Sequence, residues 1–243
     1  LNRQGFSFDL GPSILTMPGI FRDLFNRAGR KMEDYVSIVE VHPHWRNFFE
    51  DGFVMDLTPD MRLMELELAK LPVDERKGFY RFLEYSRDLC EINDEGYFRK
   101  GLDTFREMVG HYGAMRSLTG FDLFRSMDGG VRRFIKNEKL VEILDYFIKY
   151  VGSSPYNSPA VLNLLPYIQF GYGLWYVKGG MYELARGLEK CALETGVKFN
   201  FNSEVSEIVH ESERVTAVRL KDGTAVKGDI VVSNMEVIPA YRQ

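Results

Sequence analysis

The sequence lacks most of the signatures by which enzyme families are read. No Gly-x-Gly-x-x-Gly fingerprint occurs anywhere in its 243 residues, so these residues hold no standard opening of a dinucleotide-binding βαβ unit. Gly-x-Ser-x-Gly and His-Glu-x-x-His are missing as well, which removes the common hydrolase and zinc-protease signatures. Histidine is scarce, at four residues. The only close pair is His42-Pro43-His44, whose neighbours Trp45 and Arg46 are not metal ligands, so it reads as a strand-end turn and no metal site is expected. His111 and His210 are isolated. The two cysteines, Cys90 and Cys191, form no Cys-x-x-Cys pair and fit buried thiols in a reducing compartment. No apolar run reaches the roughly 18 residues that a membrane-spanning helix needs. A net charge of −4 argues against a nucleic-acid partner.

What is present is an ordinary hydrophobic fraction of 45% with an excess of aromatics, 18 Phe and 13 Tyr, which fill a core or line an apolar cavity. Phe6 and Phe8 alternate as in a short strand that Gly11-Pro12 breaks. Ile20, Phe21, Leu24, Phe25 and Ala28 recur at helical spacing, with Gly29 as C-cap. Residues 35–41 read as a strand, and 45–57 as a hairpin turning at Asp51-Gly52. Thr58 or Asp60 caps the next helix. From 60 to about 165 the pattern is predominantly helical: a long helix over 73–92, short ones over 121–127 and 130–136, and one closed by Gly152. That last helix has Leu140, Ile143, Leu144, Phe147, Ile148 and Val151 on one face. After Gly171 the sequence predicts a strand, an amphipathic helix over 181–196, the strands "VKFNFN", "EVSEIVHE", "RVTAVRL" and "TAVKG", and a final strand "DIVVSN" buried on both faces of a parallel sheet. The fold class is therefore α/β with mixed α+β character.

Two stretches invite a ligand. Gly179-Gly180 lies between a strand and a helix, where glycine permits close backbone approach and the helix start offers N–H groups to an anion or a polarised ring. Ser233-Asn234 ends "DIVVSN" at the edge where α/β proteins place ligands. Either stretch is equally at home in an ordinary turn or strand end.

Taken in order, "GFSFDLGPSILTMP", "AGRKMEDYV", "KNEKL", "WYVKGGMYELARGL", "GVKFNFNSEVSEIV" and "DIVVSNMEV" resemble the bacterial carotenoid desaturases, the phytoene and diapophytoene desaturases of the FAD-dependent amine-oxidase-like superfamily. "YVKGGMY" and "GPSILTMP" are most similar to the C30 branch. The resemblance implies a partial FAD/NAD(P)-binding-like domain over residues 1–34 and 179–243, and a largely helical substrate lobe with a small antiparallel sheet over 35–178. It implies FAD as cofactor, with Gly11, Pro12, Gly179, Gly180 and Met181 near the isoalloxazine, Val205 at the adenine, and Ser233 and Asn234 near the phosphates and ribose. Phe121, Phe124, Tyr146 and Tyr150 become loose candidates for a polyene tunnel, with core packing the more ordinary role for each.

The implied reaction is desaturation of phytoene or 4,4'-diapophytoene by hydride transfer to flavin, in a cytoplasmic protein resting on the membrane surface. A carotenoid isomerase, a carotenoid oxygenase or a retinol saturase-like enzyme is the alternative on the same scaffold. A non-catalytic module binding apolar lipid is the alternative from another class. The family's FAD fingerprint, acidic ribose ligand and closing FAD motif have no counterpart in these residues. The chain is therefore expected to be the middle of a longer protein, inactive and poor at holding FAD by itself, with strand edges open to rearrangement.

Overall fold

The computed structural model describes residues 2–102 and 104–241. It is a mixed architecture of helices and small antiparallel sheets, and it divides into two compact units between Cys191 and Ala192.

The first unit opens with a minimal hairpin of β1 (Asn2–Arg3) and β2 (Phe6–Ser7). Then come β3 (Leu15–Thr16), α1 (Pro18–Arg27) and β4 (Ile38–Glu40). The predicted hairpin is present as β5 (Trp45–Phe48) and β6 (Val54–Leu57), with Gly52 at a φ of 82° in its turn and Asp51 accepting from the Phe53 N–H. The helical stretch comprises α2 (Met61–Leu68), α3 (Val73–Asn93), α4 (Phe105–Tyr112), α5 (Ala114–Thr119), α6 (Met127–Val131), α7 (Glu138–Asp145) and α8 (Leu164–Tyr172). Of the two predicted caps, Asp60 is the one that caps α2, accepting from the Arg62 N–H at 2.9 Å. The chain returns through β7 (Leu174–Val177) into α9 (Tyr182–Glu194).

β7 is the middle strand of a sheet ordered β3-β7-β4. Leu15 pairs with Trp175 on one edge, and Ile38 with Val177 on the other. Behind this sheet Leu15, Phe25, Met32, Val36, Val177, Leu184 and Cys191 form one core. A larger core joins the β5–β6 hairpin to α2, α3, α6 and α7, with Met64, Phe79, Phe82 and Phe147 wholly buried. Each such side chain contributes about 1.5–3 kcal/mol by leaving water.

The second unit is a β8 (Val205–Glu211), β9 (Arg214–Leu220), β10 (Ala225–Lys227) meander, followed by the short α10 (Val237–Ala240). Asp222-Gly223 makes the predicted turn.

Five sequence expectations are corrected. "DIVVSN" is not a buried parallel strand: Ile230 is 84% exposed and Val232 89% exposed. An apolar run becomes a strand only beside a partner, and every strand pair among the described residues is antiparallel and lies elsewhere. "VKFNFN" is likewise irregular, with Phe199 and Phe201 stacked on each other and exposed. Residues 121–126 form no helix, and the helix expected over 130–136 is instead α6, which ends at Val131. Asp122 has a φ of 45°, and its carboxylate is held by Tyr85, Arg125 and Arg133. The helix expected to end at Gly152 tightens into a 3₁₀ turn at Tyr146–Tyr150, and this rewinding carries Val151 away from the buried face, leaving it exposed.

Gly78 in α3 marks where the larger core is closest. A Cβ there would lie 2.2 Å from the Phe134 carbonyl oxygen, a backbone atom with little room to yield. Gly78→Ala is therefore expected to destabilise the chain by about 2 kcal/mol despite alanine's better helix propensity, measured as a lower urea midpoint.

Candidate functional site

The sheet register brings the two glycine turns of the first unit together. β3 runs antiparallel to β7, so residues before Leu15 face residues after Trp175. Gly179, at a φ of 91°, makes the turn that the Gly180 N–H closes on the Val177 carbonyl. Gly180 follows at a φ of 100° and is buried, and α9 starts two residues later. The Met181 N–H donates to Asp9 Oδ2 at 2.9 Å, which places the segment carrying Gly11 and Pro12 at the start of α9. Both of those residues are exposed, and a Cβ on Gly11 would meet nothing within 4 Å. The backbone there lies open to a flat group.

In the second unit Val205, Ser233 and Asn234 line one shallow cavity of about 380 Å³ with Ile208, Val218 and Met235. Residues chosen from two separate stretches of sequence thus line one cavity. The Ser233 hydroxyl accepts from the Met235 N–H at 3.2 Å, which shapes the turn at the cavity edge.

The helical part of the first unit holds an apolar cavity of about 500 Å³. Its lining comes from the end of α3, the π-helical turn Asp94–Phe98, α4, the 121–123 loop and α8, and includes Tyr97, Phe98, Met108, Phe121, Leu165 and Ile168. Two of its polar lining residues turn their donors to the backbone: the Asn93 amide donates to the Leu89 carbonyl at 2.7 Å, and the Tyr112 hydroxyl donates to the Ile92 carbonyl. Of the four tunnel candidates Phe121 is in the lining. Phe124 is 85% exposed and outside it, as are Tyr146 and Tyr150.

Tyr146 and Tyr150 instead stand around Lys149. Its nitrogen lies 3.2 Å from the Trp45 ring centroid, 4.2 Å from Tyr146 and 5.2 Å from Tyr150. Trp45 Nε1 and the Tyr150 hydroxyl both donate to Gln169 Oε1, at 2.6 and 3.0 Å. The Lys149 nitrogen is buried and has no hydrogen-bond partner among the described residues. Burial pushes its pKa down to about 7, while the surrounding ring faces favour the ammonium form and oppose the shift.

Sequence reasoning missed this box and most of the cavity. The box has a local signal, a lysine within four residues of Tyr146, Phe147 and Tyr150. The cavity is assembled from segments about 75 residues apart, from Asn93 to Ile168, and no single window shows it.

A family model described as flavin-containing amine oxidoreductase matches residues 1–240. The chain belongs to that family. Within it the chain is carotenoid-desaturase-like. It is 60% identical to a 4,4'-diapolycopene oxygenase from Methylomonas sp, covering 100% of this chain and 49% of that protein. It is 46% identical to a 4,4'-diaponeurosporene oxygenase from Staphylococcus haemolyticus, covering 100% and 48%, and 43% identical to one from Staphylococcus aureus, covering 98% and 48%. The chain spans about half the length of the curated relatives it matches. Among solved structures, a Rab GDI from Plasmodium falciparum aligns with 90% of this chain and 48% of its own, at 14% identity and a TM-score of 0.48.

Among the described residues no helix is long and apolar enough to cross a membrane, and no cluster of His, Cys, Asp and Glu is arranged to hold a metal. Cys90 and Cys191 are buried and form no disulfide with each other.

The Lys149 box has a testable pH signature. Unfolded lysine keeps its proton to about pH 10.4, whereas the native amine releases it near 7. Between those values the unfolded chain binds the extra proton, so stability rises with pH across that window. Urea midpoints are expected to climb from pH 7 to pH 10 in the wild type, and Lys149→Met is expected to flatten that climb.

Proposed function

We propose that these residues are part of an FAD-dependent oxidoreductase that oxygenates a long linear isoprenoid polyene of the 4,4'-diapolycopene class. The observation that carries this reading is 60% identity, sustained over the entire chain, to a 4,4'-diapolycopene oxygenase. Desaturation, the reaction expected from sequence resemblance, becomes the second reading on the same scaffold.

FAD, when bound, supplies two-electron redox chemistry. The residues present suit parts of it in shape. Gly11 offers open backbone to the isoalloxazine, with Pro12, Gly179, Gly180 and Met181 beside it, and the cavity of Val205, Ser233 and Asn234 suits the adenosine end. Residues 1–34 and 179–243 then serve the cofactor and 35–178 the substrate. In support of that division, the apolar cavity is lined entirely from residues 93–168. Without the glycine fingerprint for the pyrophosphate, the 243 residues alone would hold FAD poorly and be inactive.

The substrate reading rests on the apolar cavity. Its volume lies within the roughly 300–1,000 Å³ of small-molecule sites. Each methylene or methyl transferred there from water contributes about 0.8 kcal/mol. Tyr97, Phe98 and Leu123 both line the cavity and are exposed, so its mouth is apolar. A mouth of that kind favours a membrane surface, where such a substrate dissolves.

The test is to express the full reading frame, supply FAD, oxygen-18 gas and either 4,4'-diapolycopene or its colourless precursor, and weigh the products. A mass gain from labelled oxygen is expected. A bathochromic shift with no oxygen incorporated would establish desaturation instead, and no change in any polyene would favour the lipid-binding alternative. Ile168→Trp, which narrows the cavity, is expected to lower kcat/KM for the polyene about tenfold while retaining FAD.

A further inference from the structure

We propose that Asp9 is a positioning residue that locks the Gly11-Pro12 turn to the start of α9 and reserves that helix end for an uncharged ligand face. This rests on the reading that the flavin ring faces the two glycine turns.

The geometry has three parts. First, Asp9 and Met181 stand six residues beyond the Leu15–Trp175 pair, along the lines of β3 and β7 respectively. They occupy the positions that an extension of the β3–β7 register would make opposite, although residues 10–14 form no strand. The bond from the Met181 N–H to Asp9 Oδ2 re-forms that register across a gap the ladder cannot span. Second, a side chain at residue 180 would crowd the carboxylate and displace it. A Cβ on Gly180 would lie 3.0 Å from Asp9 Oδ2 and 3.3 Å from Oδ1, on a backbone whose φ of 100° already excludes other residues. Third, the charge decides what the turn can face. A helix N-terminus attracts anions, and the Asp9 carboxylate takes that place. A phosphate brought to the same N–H would meet a like charge at contact distance, which is unfavourable. A neutral ring meets no such barrier. Of the two ligands that the glycine pair could serve by sequence, an anion or a ring, Asp9 selects the ring.

The bond is tested first in the 243-residue chain without flavin. The Met181 amide resonance is expected to follow the titration of the Asp9 carboxylate, and Asp9→Asn to abolish that dependence. Inorganic phosphate is expected to leave the Met181 amide unmoved. An amide indifferent to Asp9, or a phosphate-induced shift in the wild type, overturns the proposal.

The consequence is then read in the full-length, FAD-loaded protein. Asp9→Ala is expected to retain FAD about tenfold less tightly, the scale of one charge-assisted hydrogen bond. Asp9→Asn keeps an acceptor but not the charge. It is expected to hold FAD nearly as the wild type does while moving the flavin reduction potential to a more positive value. Asp9→Glu is expected to restore the potential. Should Asp9→Ala fail to fold, the isosteric Asp9→Asn still carries the test. If the Met181 titration is found but no variant alters FAD retention or potential, the turns are joined as described and the flavin does not face them, which overturns the proposal. A wild-type protein that takes up no FAD contradicts the cofactor reading, with the Met181 titration still reporting on Asp9.

Discussion

The pairing of β7 with both β3 and β4 is the constraint on which the rest of the first unit depends. Four residues, Leu174–Val177, receive Leu15 and Thr16 on one edge and Ile38 to Glu40 on the other. Between β4 and β7 the chain travels out through the β5–β6 hairpin and the helices α2 to α8 before returning. Closing so long a loop costs conformational entropy, but the cost grows only with the logarithm of length, about 0.6 kcal/mol for each doubling. The helical part can thus be a large independent core, with Phe79, Phe82 and Phe147 wholly buried, without straining the sheet it springs from. The second core, from Leu15 to Cys191, fixes α1 and α9 behind the sheet, so the start of α9 has one place to go.

What was legible in the sequence follows from what is local. The β5–β6 hairpin, α2 with Asp60 at its cap, α3, α9 and the β8–β9–β10 meander all announce themselves through periodicity and turn chemistry within windows of a dozen or so residues. The glycine turns were legible as positions of unusual backbone, and Gly179 and Gly180 do take φ values near 90–100°. The failures lie where a residue's state depends on something outside its window. The run from Asp229 to Asn234 has the composition of a buried strand, yet composition states only that burial would be favourable and supplies no neighbour. The 121–126 stretch has helical spacing, but Tyr85 and Arg133 from outside it, with its own Arg125, hold the Asp122 carboxylate, with its backbone at a φ that ends a helix.

The aromatics show the same limit in side chains. Phe121, Tyr146 and Tyr150 carry similar rings in similar helical surroundings, and the sequence gives no reason to separate them. The fold does so through winding. Tightening to a 3₁₀ turn at Tyr146–Tyr150 turns those rings toward Trp45 and the Lys149 nitrogen, while Phe121 reaches the lining of the apolar cavity. An excess of Phe and Tyr therefore serves two opposite purposes in one unit. In one place ring faces compensate a buried cation, and in the other they present hydrocarbon to hydrocarbon.

On the proposed polyene reading, the selectivity of the apolar cavity would follow from how its polar lining is satisfied. Asn93 and Tyr112 in its lining donate to carbonyls of α3, and behind it the Ser86 hydroxyl donates to the Asn163 carbonyl and accepts from the Tyr167 N–H. With those bonds made internally, a ligand group that needs a hydrogen bond must either break one of them or go without. Leaving a polar group unpaired in such a site costs about 1–3 kcal/mol. A polyene incurs no such penalty along its length. A hydroxyl or carbonyl is tolerated best at the mouth, where Tyr97, Phe98 and Leu123 reach solvent. A polyene site of this kind would discriminate by the cost of polarity rather than by recognition of any polar group, and would accept chain length according to how far hydrocarbon can remain inside.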